Sequence, residues 1–204
     1  MATHRLLEAD GLKPEKRDDA PTDYYRLAEF RALLENSEGS MRAVIAMQGL
    51  AGLRLEEGLR LDWAEVFGIP GHIEVTSAKS KNRQRRLVEI CPALEQWLAP
   101  YRNEAGKVAT EGQTVNGYVM AFMAFRKKLK IPARRNGLRH AFCTYHFALH
   151  SNENLTAAQA GNSPAMIHGH YKGLATKAEA EKWFNVFPDK ANANLVPFPK
   201  QAGA

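Results

Sequence analysis

From Met41 to Leu50 the chain reads MRAVIAMQGL, apolar on every side of a helix, with a single charge at its start. A helix with no polar face has no side to offer to water, so other elements must surround it. Such a segment dictates a fold built around a central helix. Gly49 and Gly52 interrupt it just before Leu53-Arg54-Leu55-Glu56-Glu57. The apolar run, broken by Gln48, falls well short of the ~20 residues of a membrane span. The N-terminus runs from Met1 through Arg5-Leu-Leu straight into Glu8 and Asp10, which is no signal-peptide pattern. With 204 residues, of which 45% are hydrophobic and 25% charged, the chain has the makings of one globular domain.

The flanking segments supply what packs on that helix. Residues 1–22 are polar, of mixed charge and irregular, and read as a tail or linker. Asp23 to Asn36 has helical spacing, with Tyr24, Leu27, Phe30 and Leu34 on one face and Thr22 as the expected N-cap. Ile73–Thr76 and Leu87–Ile90 alternate as two strands of a hairpin, or of a three-stranded sheet, with a basic tip between them. Pro92 opens a helix through Leu98. Val115 to Lys130 is amphipathic, with Val115, Val119, Phe122, Met123 or Phe125, and Leu129 expected inward, and Pro132 ends it. In the next helix, Gly137 to His150, Leu138, Phe142, Tyr145 and Leu149 form one stripe, while Arg139, Cys143, His146 and His150 lie on another face. Short helices are expected at Thr156–Ala160, Ser163–His168 and Lys177–Phe184. The sum is an α+β, mainly α domain over residues 23–187, followed by a C-terminal tail, 188–204.

Charge is distributed unevenly. The formal total is +6, from 28 basic and 22 acidic residues. Lys79–Arg86 (KSKNRQRR) and Arg126–Arg139 (RKKLKIPARRNGLR) together hold twelve basic residues and no acid, which leaves −6 on the remainder. A mildly acidic body bearing two cationic segments fits a polyanion partner, and Lys79, Arg83, Arg85, Arg86, Arg126, Lys127, Lys128, Lys130, Arg134 and Arg135 are the candidate nucleic-acid contacts. Cys91 and Cys143 match no metal-ligand spacing and read as free thiols of a reducing cytosol. His146 and His150 are four apart but lack the glutamate of a metalloprotease helix and a third ligand, so no metal is assigned. Trp63, Trp97 and Trp183 lie on apolar faces and read as core.

Four segments carry chemistry when taken together: Gly52-Leu-Arg54-Leu-Glu56-Glu57 with Leu61-Asp-Trp63; the basic hairpin Lys79–Ile90; Asn136-Gly-Leu-Arg139-His140; and Gly161-Asn162-Ser163, with Tyr171 nine residues after Asn162. In order and spacing they resemble the tyrosine recombinase (phage integrase) catalytic domain. The resemblance implies that fold, with its small antiparallel sheet, and site-specific cleavage and rejoining of DNA strands without metal or cofactor. Tyr171 would attack a phosphodiester to form a 3′-phosphotyrosine and release a 5′-hydroxyl. Arg54 and Arg139 would clamp the non-bridging oxygens, with Glu57 supporting Arg54. A hairpin lysine would protonate the leaving oxygen; counting back from Arg86 selects Lys81, with Lys79 as the alternative.

Two positions depart from the family pattern. Asn136 stands where the family has histidine, and Asn162 where it has histidine or tryptophan. Asparagine can donate a hydrogen bond to a phosphoryl oxygen but cannot act as a base near neutral pH. Compensation would have to come from His140, His168 or His170. The competing readings are a DNA-binding relic that has lost strand transfer and a type IB topoisomerase-like activity. The resemblance further implies double-stranded DNA as partner, a tetramer on DNA with a monomer possible off it, and a cytoplasmic, nucleoid-associated protein with no membrane contact. The stretch before Asp23 is too short for the N-terminal helical domain that the family usually carries.

Overall fold

Every residue from Ala43 to Ala51 is buried, and the elements around them account for it. The computed structural model describes residues 22–80 and 84–189. Its helices are α1 (Leu27–Asn36), α2 (Gly39–Ala51), α3 (Leu55–Arg60), α4 (Trp63–Phe67), α5 (Pro92–Leu98), α6 (Val115–Lys128), α7 (Gly137–His150), α8 (Glu153–Ala160), α9 (Pro164–Tyr171) and α10 (Lys177–Phe184). Between α4 and α5 lie β1 (His72–Val75) and β2 (Arg86–Glu89). The central helix α2 is enclosed by α1, α3, α5 and α7. In turn α7 carries α8, α9 and α10.

An aromatic stack seals the join. Trp183 of α10 lies over Phe30 of α1 at 4.2 Å between ring centres and over Tyr145 of α7 at 4.5 Å. Its indole N–H is satisfied by the Gly49 carbonyl at 2.9 Å, and that of Trp97 by the Val186 carbonyl at 2.7 Å. Buried Trp is stable only when that donor finds a partner. All three tryptophans are therefore core residues.

The two strands pair antiparallel in the register His72 with Glu89 through Val75 with Arg86. Each is shifted one residue N-terminal of its expected position. Among the described residues the sheet has two strands, not three. Helix α4 packs on β1, and α8 packs on β2. The hairpin tip at 81–83 lies outside the described residues, as do the two tails at 1–21 and 190–204.

Two other expectations are corrected. α1 starts at Leu27 because the Glu29 carboxylate accepts the Arg26 backbone N–H at 2.8 Å and sets the helix start there. Thr22 is not its cap; its hydroxyl donates to the His170 carbonyl at 3.0 Å. α6 lays Val115, Phe122, Phe125 and Leu129, each half-buried, against the core as expected, with Phe125 and not Met123 facing inward. Tyr118, which pattern alone did not select, is its one buried residue, while Met123 stands 44% exposed.

Candidate active site

Three ends meet beside the N-terminal half of α7: the α2–α3 turn, the start of β2 and the α8–α9 turn. Arg54 precedes α3, where its backbone N–H is held by Glu57 Oε2 at 2.9 Å. Its guanidinium donates from Nη1 to Glu57 Oε1 at 3.0 Å, and from Nη2 to the Gly161 carbonyl at 2.6 Å and Asn162 Oδ1 at 3.3 Å. Arg139 enters from α7 and is 8% exposed. Its Nη1 donates to the Gly52 carbonyl, and its Nη2 to the Ala160 carbonyl at 2.6 Å and Asn162 Oδ1 at 2.7 Å. The two arginines thus converge on one amide oxygen.

Backbone geometry makes this possible. Gly52 caps α2 in the left-handed region at φ 66°, and a Cβ there would collide with the Phe142 ring. Gly161 caps α8 at φ 67°, and a Cβ there would press within 3.1 Å of the Arg86 guanidinium carbon and 3.3 Å of Arg54 Nη1. Both glycines also lend their carbonyls to the arginines.

Glu57 is 1% exposed and joins a second arginine to the first. Arg86 donates from Nη1 to Glu57 Oε1 at 3.1 Å and from Nη2 to Oε2 at 2.6 Å. Burial pushes the Glu57 carboxyl up, but the hydrogen bonds and charge of Arg86, followed by those of Arg54, outweigh it and hold the group below the usual glutamate range. The cluster of Arg54, Arg86, Arg139 and Glu57 keeps an excess of positive charge. Burial, with Arg54 and Arg86 nearby, lowers even Arg139 to about 10, still charged at neutral pH.

Tyr171, the last residue of α9, packs against Phe142, Cys143, Ala157, Ala160 and Ile167 and is 4% exposed. Its hydroxyl lies 2.7 Å from His140 Nδ1 and also meets the Cys143 side chain. Burial, reinforced by Cys143, drives the phenol well above its ordinary value, and the Arg139 charge opposes this only in part. Tyr145 is stacked on Trp183, and the Tyr101 hydroxyl donates to the Gly39 carbonyl at 2.9 Å.

Other expected site residues are placed differently. Asn162 accepts from both arginines through its carboxamide oxygen, which aligns the two guanidinium groups, while its Nδ2 donates to Cys143 Sγ at 4.0 Å. Asn136 is exposed at φ 55°, in the turn that opens α7. Lys79 is paired with Asp62 Oδ2 at 2.8 Å and with Glu65, which outweigh burial and raise its pKa, the reverse of what a proton donor needs. Lys81 and Arg83 lie outside the described residues.

The expected basic contacts divide in the same way. Arg86 and Arg134 turn inward to carboxylates, the latter to Asp23 at 2.8 Å and Glu29 at 2.9 Å. Arg126 donates to the Ile131 carbonyl, and Arg85 forms an exposed pair with Glu74. Lys127, Lys128, Lys130 and Arg135 are exposed. Arg86 is the site residue whose role sequence reasoning missed. Its charge and strand position were visible, but its carboxylate partner lies 29 residues away.

The sequence matches no protein-family model and no curated protein. Solved structures do match. The XerA recombinase superposes with a TM-score of 0.63 at 19% identity, covering 86% of this chain and 67% of its own. The catalytic domain of bacteriophage HP1 integrase gives 0.54 at 18%, covering 74% and 87%. The chain has the tyrosine recombinase catalytic fold. Lambda integrase (residues 75–356), solved as a dimer bound to a COC′ core site, gives 0.59 at 12%, covering 78% of this chain and 63% of that one. Within this fold Arg54 and Arg139 meet at Asn162, and Tyr171 packs against Phe142 and Cys143 of α7.

Proposed function

We propose that this chain cleaves and rejoins DNA strands through a phosphotyrosine on Tyr171, as a member of the tyrosine recombinases. The observation that supports it is the meeting of Arg54 and Arg139 at Asn162 Oδ1, with the Tyr171 phenol packed against the same α7 surface. The described contacts use three of the five N–H donors of each guanidinium. Two permanently charged, planar groups held side by side suit the charge that accumulates on a pentacoordinate phosphorane.

Tyr171 Oη forms the new bond to phosphorus as the 5′-oxygen leaves and takes a proton from a hairpin lysine, for which the sequence nominates Lys81. Religation reverses both transfers and conserves the phosphodiester energy. Because the phenol is buried, attack on a duplex phosphate requires the end of α9 to move outward when DNA binds. The expected products are a DNA-joined protein and a free 5′-hydroxyl.

The test is to incubate the chain with a duplex pool randomised on both sides of one 5′-bridging phosphorothiolate, which traps the cleaved state. Denaturing gels and mass spectrometry should locate the adduct on Tyr171. Tyr171→Phe should yield none. An adduct that survives this substitution, or no adduct from the unmodified chain, would refute the assignment.

A further inference from the structure

We propose that His140 is the general base of the reaction, taking the Tyr171 phenolic proton on Nδ1 as the bond to phosphorus forms. This rests on the strand-transfer reading above and supplies what that reading lacks, since Asn136 occupies the position where the resemblance expects histidine, and Asn162 the one where it expects histidine or tryptophan. His140 Nδ1 is 2.7 Å from the phenolic oxygen, inside the reach that direct proton transfer requires. The contact is already formed before DNA binds, and His140 must stay within reach of the phenol as the end of α9 moves outward. The adjacent residue, Arg139, is the phosphate clamp, so one turn of α7 presents both groups to the reacting centre.

The charge state is suited to the role. Burial lowers the His140 pKa, Arg139 and His170 lower it further, and Asp23 opposes them weakly, so the ring is neutral near pH 7. The phenol beside it is pushed up by burial and by Cys143, against Arg139, so it keeps its proton in the resting protein. With the ring proton on Nε2, Nδ1 is free to accept from the phenol, and this is the tautomer that the base role requires. His168 and His170 are exposed and make no such contact with the hydroxyl.

The balance is closed. In cleavage the Oη–H bond breaks, its proton goes to Nδ1, Oη bonds to phosphorus, and the 5′-oxygen departs with a proton from the hairpin lysine. In religation the 5′-hydroxyl attacks, the lysine regains its proton, and His140 returns the other to Oη. The imidazolium formed between these steps is flanked by Arg139, which keeps it acidic enough to give the proton back.

Two measurements test this. Nitrogen NMR of the full chain at neutral pH should show His140 with Nδ1 unprotonated; a proton on Nδ1 overturns the assignment. With the phosphorothiolate pool, the thiolate leaves without protonation, so the rate reports on phenol deprotonation and not on the lysine. Adduct formation by the unmodified chain should fall on acidification through the His140 titration. His140→Gln and His140→Ala should each slow it by about 100-fold and abolish that acid limb, and added imidazole should restore part of the His140→Ala rate. Rates and an acid limb unchanged in either variant overturn the base while leaving Tyr171 as nucleophile. Absence of any adduct from the unmodified chain overturns the strand-transfer reading, and the base role falls with it.

Discussion

A carboxamide oxygen can accept two hydrogen bonds at once, and Asn162 uses both on Arg139 and Arg54. A neutral histidine offers a single ring lone pair and could not tie the two together in the same way. Asparagine at this position therefore gives up a titratable ring and gains the alignment of two cations. Another histidine shows how burial fixes a charge state. His146 is 6% exposed, hydrogen-bonds Thr156 Oγ1 at 2.8 Å, and is lowered to about 3 by burial and by His150. Its folded pKa lies below the ~6.5 of an unfolded histidine. Stability from this group is therefore complete above that value and is lost progressively as pH falls toward about 3. At about pH 5 the loss should reach about 2 kcal/mol relative to neutral pH. Glu57, depressed below the glutamate range, contributes only under more acid conditions, and the lowered His140 adds in the same direction as His146. Urea unfolding at the two pH values should show the drop, and His146→Gln should remove most of it. An undiminished drop in that variant would assign the effect to other groups.

At the scale of elements, most of the helices were legible because each buries a stripe with a regular period. α2, α5, α7 and α10 lie within two residues of where spacing and caps place them. The hairpin was legible from alternation. What spacing could not show is where contacts between distant segments override local signals. Thr22 looks like a cap, yet its hydroxyl goes to His170, 148 residues away. Tyr24 fits the helical stripe of α1, yet it lies before the helix and donates to the Leu174 carbonyl at 2.6 Å while accepting from Arg26. The Thr22–His170 and Tyr24–Leu174 bonds flank Tyr171, so the chain entering α1 straps the end of α9. Tyr24→Phe removes one of them and should destabilise the fold by about 1 kcal/mol. The effect should be local: amide exchange at His170–Leu174 should accelerate more than exchange in α2. Equal acceleration everywhere would show that Tyr24 supports the core at large and not the strap.

Across the whole molecule, charge separates into a structural set and a free set, a division that composition could not reveal. Arginine looks the same in sequence whether it meets a carboxylate or a phosphate. Arg54, Arg86 and Arg139 are fixed around Glu57 and the α8–α9 turn, and Arg134 is fixed to Asp23 and Glu29. Lys127, Lys128, Lys130 and Arg135, from the end of α6 to the start of α7, are exposed. If this chain grips duplex DNA, the exposed group supplies phosphate contacts away from the arginine pair, and each contact releases counterions and adds about 0.9 to the slope of log affinity against log salt. Replacing all four with glutamine should flatten that slope by about 3–4 while leaving the unfolding midpoint close to that of the unmodified chain. Arg134→Gln should do the opposite, lowering the midpoint through loss of its carboxylate partners and barely altering the slope. Binding of a mixed-sequence duplex at several salt concentrations, alongside urea unfolding, reads both quantities. A slope unchanged by the fourfold replacement would move the DNA contact to another face of the molecule.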